Sequence, residues 1–180
     1  MAFESLTRTD KEAHKLLQRF GVSAPPVDVE KIARELGLDI RYERFQRDLS
    51  GVLVKSSDSK VIGINSSHAR VRQRFSIAHE IGHFWLAHPG DMFVDEIGGQ
   101  ASVVFRDGRS GDATNIYEME ANRFAAALLM PAELLVNSFL SCSPQDAEGK
   151  MIVNTLANQY EVSTQAMKIR LSSLGLMLAA

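Results

Sequence analysis

Residues 75–89 read FSIAHEIGHFWLAHP. They set three of the chain's five histidines, and a glutamate beside one of them, among aliphatic and aromatic side chains. Most of the stretch is what a core-facing helix requires: Ile77, Ile81 and Phe84 recur at helical spacing and would anchor one face. The polar residues depart from that pattern in a specific way. His79 and His83 are four apart, so on an α-helix their side chains differ by about 40° in direction and about 6 Å in height. Both imidazoles can then reach one ion at roughly 2.0–2.1 Å. Glu80, turned about 100° from His79, would flank that ion and can hold a water molecule beside it. His88 is a different case. A continued helix would point it about 180° from His79, and Pro89 disfavours helical geometry at that residue. The longer zinc-helix pattern fails as well, because Leu86 stands where it needs glycine and Pro89 where it needs a third histidine. A third ligand has to come from elsewhere in the chain.

A second helical pattern, NIYEMEANRFAAALLM at residues 115–130, supplies a candidate. With Phe124 as reference, Ile116, Tyr117, Ala127 and Leu128 form one apolar stripe. Glu120 lies within it, about 40° from Phe124. A carboxylate on a core-facing stripe is expensive unless it is paired or bound to a cation. Glu120 is therefore the expected third ligand, with pairing to Arg34, Arg72 or another cation as the alternative. Glu118 points about 120° away and has a separate expected role, at the third position of a capping box with Asn115 as N-cap. Tyr117 is a candidate catalytic donor to an oxyanion, or a plain core aromatic. Asn122 is expected to bond backbone or a group behind the ligands. Two histidines and a glutamate with an open fourth position make a catalytic zinc arrangement; manganese(II) is the alternative metal.

The remaining sequence frames these helices. The chain has 180 residues, 45% of them hydrophobic, enough for one core or one core with a small appendage. A formal net charge of −2 gives no overall field for nucleic acid or an anionic membrane. The single cysteine, Cys142, cannot form an internal disulfide, which suits a reducing compartment. The opening MAFESLTRTDK lacks the apolar stretch of a secretory signal, and no apolar run approaches the roughly 20 residues that span a bilayer. These features read as a soluble, cytoplasmic protein.

Helical patterns cover about Asp10–Phe20 and Asp28–Leu36, the second capped by Asp28 and stopped by Gly37. Three strand-like runs follow, DIRYERF, SGVLVK and KVIGIN, the last a candidate exposed edge for aligning a peptide. Residues 89–115 read as a long loop with one short strand, ASVVFR. After Pro131 a short helix, AELLVNSFL, is expected. The tail forms two helices joined at Glu161-Val162-Ser163, with Ser163 capping the second. Helices, a small sheet, then helices place the chain in the α+β class. Gln165, Lys168 and Arg170 give the tail a weak helix-turn-helix character. Glu161 opposes them, and the tail is expected to cover the core or dock a partner.

HEIGH, followed by YEMEANRFAAALLMP, resembles the ImmA/IrrE family of metallo-endopeptidases from about Val27 into the tail. The resemblance implies a compact zincin-like domain, a small sheet packed with the metal-bearing helices. It implies a division into a peptidase domain at residues 1–140 and a helix-turn-helix-like helical segment at 141–180. It assigns His79, His83 and Glu120 as metal ligands and Glu80 as the catalytic acid/base. The implied activity is site-specific cleavage of a helix-turn-helix repressor, which derepresses a mobile-element, stress or toxin–antitoxin-like locus. The partner is then a protein substrate, with no direct nucleic-acid or membrane partner. The competing reading is a regulator that binds DNA or sequesters a repressor without cutting it, around a structural metal. An open coordination position and Glu80 favour the enzyme, since a structural site has no use for a base.

Overall fold

The strand-like runs between residues 39 and 65 are strands, and three elements of one sheet: β1 (Asp39–Glu43), β2 (Gly51–Lys55) and β3 (Lys60–Asn65). The computed structural model describes residues 6–45, 49–56, 58–89, 92–97, 100–105, 111–142 and 149–177. Among them, β4 (Met92–Ile97) and β5 (Gln100–Phe105) complete a five-stranded mixed sheet in the order β1-β3-β2-β4-β5. Helices α1 (Arg8–Arg19) and α2 (Val29–Glu35) precede it, and α3 (Arg70–Trp85) connects β3 to β4. Then follow α4 (Gly111–Leu129), α5 (Ala132–Leu140), α6 (Gly149–Tyr160) and α7 (Thr164–Ser173). The class is α+β, a zincin-like arrangement of a small sheet with helices and a helical tail.

The described chain forms two compact units, one of residues Val29–Asn122 and one of Met1–Asp28 with Arg123–Ala180.

In the Val29–Asn122 unit, β2 and β3 pair antiparallel from Gly51 opposite Ile64 to Lys55 opposite Lys60. β1 lies parallel to β3 on its other side. β3 is thus an interior strand, which corrects its expected role as an exposed edge: both its ladders are occupied. Ile62 and Ile64, two apart and so on one face of β3, are fully buried, as are Ile77, Ala78 and Ile81 of α3. That packing fixes the orientation of the α3 polar residues. Residues 92–97 and 100–105 form two antiparallel strands rather than a loop with one strand, with Ile97 opposite Gln100.

The other unit is helical. Leu16 and Leu17 of α1, Leu135 of α5, Leu156 and Tyr160 of α6, and Met167 and Leu171 of α7 are all buried. Ser163 caps α7 as expected, accepting from the Ala166 N–H at 3.1 Å. Arg170 is buried among these helices. Its Nη2 lies 2.7 Å from Asp10 Oδ1, and its Nε donates to the Met130 carbonyl at 3.1 Å. Asp10 also closes a capping box with Thr7 at the start of α1.

Removing one partner of a buried ion pair strands the other charge. Asp10→Ala is accordingly expected to cost about 3 kcal/mol in urea unfolding at neutral pH. Burial pulls the Asp10 carboxyl up, but the Arg170 charge and the Thr7 hydrogen bonds outweigh it and hold the group below its ordinary range. A depressed folded value means that the contribution is complete above the unfolded value of about 3.9 and is lost as pH falls through the folded one. The difference between wild type and variant should therefore be flat near neutrality and shrink in acid.

Candidate metal centre

α3 presents three faces to three surroundings. Ile77 and Ile81 are buried in the core, while Glu80 is 7% exposed beneath the start of β2. A Cβ built on Gly51 would stand 3.2 Å from Glu80 Oε1 and 3.2 Å from Ser76 Cβ, so this position has room for glycine alone without a shift. The Leu53 N–H also donates to the Glu80 carboxylate. His79 and His83 occupy the third face, partly exposed.

The two imidazoles converge. Their Nε2 atoms lie 3.0 Å apart, and Glu118 of α4 spans them, with Oε2 3.2 Å from His79 Nε2 and Oε1 3.2 Å from His83 Nε2. His79, His83 and Glu118 offer ligand atoms all within 4.8 Å of one another. A tetrahedral centre with bonds of roughly 2.0–2.1 Å has ligand–ligand edges of roughly 3.3–3.4 Å, close to these separations.

The hydrogen-bond network says what such a group lacks. His79 Nδ1 is 3.0 Å from Asn122 Oδ1. An amide oxygen only accepts, so Nδ1 carries the proton and the neutral ring turns a bare Nε2 toward Glu118. Lone pairs and a carboxylate facing one another need a positive charge between them, either a proton on one ring or a cation. The donor set fits a divalent ion, and the three ligands leave a fourth position for solvent or substrate.

The field of the group appears in its titration. When a proton sits on the facing Nε2 atoms, hydrogen bonds from His79 and His83 hold the Glu118 carboxyl far below the usual carboxylate range. Burial pulls His79 down, but the Glu118 hydrogen bond and the Glu80 and Glu118 charges outweigh it and raise the ring. Burial pushes Glu80 up, against the opposing pull of the two imidazoles.

Glu120, the expected third ligand, is not in this group. Its Oε2 lies 3.0 Å from His88 Nε2. The expectation assumed that a ligand carboxylate belongs on the core-facing stripe. The centre lies instead at the margin of the fold, where half of the Glu118 side chain is exposed. Residues 118 and 122 are about 40° apart on a helix and residues 118 and 120 about 200°, so Glu118 and Asn122 share one face and Glu120 another. The capping role expected for Glu118 also lapses, because α4 already runs from Gly111. The stripe itself holds at Phe124, Ala127 and Leu128 but not at Ile116, which is exposed. Tyr117 packs its ring on His88, with centroids 4.9 Å apart.

Sequence reasoning set His88 aside because a continued helix would turn it away. The helix ends earlier, and the turn brings the side chain back. Ala87 takes a left-handed φ of 52°. The Ala87 N–H bonds the Phe84 carbonyl and the His88 N–H the His83 carbonyl, a Schellman closure. His88 Nδ1 then lies 3.1 Å from His83 Nδ1.

A zincin-like α+β fold with a His-Glu-x-x-His helix and a facing carboxylate defines a metal-dependent peptidase type of centre. The chain belongs to the peptidase family described as the IrrE N-terminal-like domain, which matches residues 33–172. It is 42% identical over 134 residues to the radiation response metalloprotease IrrE of Deinococcus deserti, covering 73% of this chain and 43% of that protein. It is 26% identical over 117 residues to the uncharacterized immunity region protein 2 of Bacillus phage phi105, covering 65% of each. The chain thus spans less than two thirds of the length of these relatives. A Mycobacterium tuberculosis transcriptional regulator shares the fold, with a TM-score of 0.59 at 19% identity over 91% of this chain and 46% of that one.

Two outcomes are expected. Glu118→Gln should lose zinc on dialysis against a weak chelator, whereas Glu120→Gln should keep about one zinc per chain by atomic absorption, since Gln can still accept from His88. Ala87→Gly should raise unfolding stability by about 1 kcal/mol, because glycine takes the left-handed conformation without the Cβ penalty.

Proposed function

We propose that the chain is a metal-dependent endopeptidase, with His79, His83 and Glu118 holding a zinc ion, or manganese(II) in its place, and Glu80 as the general base and acid. The observation that carries this reading is the buried Glu80 carboxylate beside an open-sided His, His, Glu group. When bound, a zinc ion acts as a Lewis acid toward a peptide carbonyl and acidifies water. Glu80 accepts the proton of the attacking water and delivers it to the departing amine. Burial raises the basicity of this carboxylate, which favours its taking up a proton. Gly51 and the Leu53 N–H hold it in one orientation. Asn122 keeps the proton of His79 on the side away from the ligands. Tyr117, with its ring against His88, is kept as the candidate donor to the oxyanion.

The substrate in this reading is a protein, and specifically a helix-turn-helix repressor, cut at one site in the cytoplasm. The names of the relatives, one a radiation response metalloprotease and the other an immunity region protein, support a regulatory setting. Burial of Arg170 against Asp10 takes a cation away from any DNA-reading face of α7 and favours a packing role for the tail. Among the described residues, no single helix is long and apolar enough to cross a membrane.

The test is incubation of the zinc-loaded protein with candidate helix-turn-helix repressors from its own genome. Wild type should yield one discrete fragment pair. Glu80→Gln should retain zinc and cleave at least about 100-fold more slowly. Undiminished cleavage by that variant would refute the assignment of Glu80. Tight binding of the repressor by wild type without any fragment would favour sequestration.

A further inference from the structure

Glu120 and His88 lie outside the ligand group but touch it. The line runs Glu120 Oε2 to His88 Nε2 at 3.0 Å, then His88 Nδ1 to His83 Nδ1 at 3.1 Å. With Glu120 ionised and His88 neutral, proton counting along this line has one solution. An ionised carboxylate only accepts, so His88 Nε2 carries hydrogen. A neutral imidazole has one donor and one acceptor, which makes His88 Nδ1 the acceptor. His83 Nδ1 must then donate, and the remaining nitrogen of His83, Nε2, is left with a free lone pair. That atom is the one 3.2 Å from Glu118. The opposite assignment needs a second proton on His88, whose side chain is 5% exposed.

We infer that Glu120 and His88 are positioning residues for the metal centre, a carboxylate–imidazole pair that fixes the tautomer and ring plane of His83 so that Nε2 faces the ion. Histidine ligands commonly donate their second N–H to a carboxylate or carbonyl, which orients the ring and raises its basicity. Here an imidazole is inserted between carboxylate and ligand. Asn122 does the corresponding work for His79 with a neutral oxygen, so the two ligand rings are set by different chemistry. The left-handed Ala87 turn at the end of α3 supplies one member of the pair and α4 the other. Tyr117 packs against the face of His88 and restricts its rotation.

The inference rests on the metal-centre reading of His79 and His83, and its test separates the two. Zinc affinity is measured by chelator competition on the full chain, with circular dichroism as a check on folding. His88→Phe keeps the ring and removes the acceptor. It should weaken zinc binding by about 10- to 100-fold. His88→Asn puts a carbonyl oxygen near the place of Nδ1 and should recover most of the affinity. In the zinc-free protein, ¹⁵N shifts should report a single His83 tautomer, protonated at Nδ1, in wild type and a mixture in His88→Phe. If His88→Phe does not fold, Glu120→Leu carries the test, with the same loss of a single His83 tautomer expected. His88→Phe or Glu120→Leu with wild-type affinity and an unchanged tautomer overturns the inference alone. So does an Asn variant as weak as the Phe variant, since packing would then be the cause. Wild type that binds no zinc overturns the metal-centre reading and this inference together.

Discussion

Acceptor atoms that point at one another repel, and the Val29–Asn122 unit holds a set of them in place. The bare Nε2 atom of His79 faces that of His83 and the Glu118 carboxylate across about 3 Å. Nothing about the local chain favours this arrangement. It persists because α3 is pinned from behind, with Ile77 and Ile81 buried in the core and the sheet positioning β2 over Glu80. A rigid scaffold that enforces electrostatic discomfort creates affinity for a cation, because binding one relieves what folding imposed.

α4 divides its polar residues between two tasks by helical geometry. Glu118 and Asn122 share a face and serve the open side of the centre. Glu120, two positions along, is turned toward His88. Three polar residues within one and a half turns thus surround the histidine cluster from different directions, and the apolar residues that follow, from Phe124 to Met130, bury the remainder of the segment.

How much of this was legible in the sequence depended on whether local pattern or tertiary placement decided the matter. The His79–His83 pair was legible because a four-residue spacing fixes direction on any α-helix. The segment AELLVNSFL was legible as a helix because Pro131 opens it and its apolar residues recur at helical spacing. Strands β1, β2 and β3 announced themselves by β-branched content. The choice between Glu118 and Glu120 was not legible by the same rule, because apolar periodicity identifies the buried face, whereas a centre open to substrate lies at the edge of that face. His88 was hidden by one residue: nothing in Ala87 signals a left-handed conformation, as a glycine there would have done. The strand β4 was missed because the charged residues Asp95 and Glu96 made MFVDEI look like loop. Pairing of Asp10 with Arg170 could not be read at all, since the two are separated by nearly the whole chain.

That last pair bears on how the molecule is made. A ribosome delivers α1 early and α7 late, yet the carboxylate of one is matched to the guanidinium of the other. Through most of synthesis Ala13, Leu16 and Leu17 are a greasy strip with no final neighbours, and Asp10 is a charge awaiting its counterpart. The Val29–Asn122 segment, contiguous in the chain, can be finished while the helical unit is still lacking its last turns. Stalling or clipping near the carboxyl end would therefore leave a nascent product whose first helix is the exposed, sticky part.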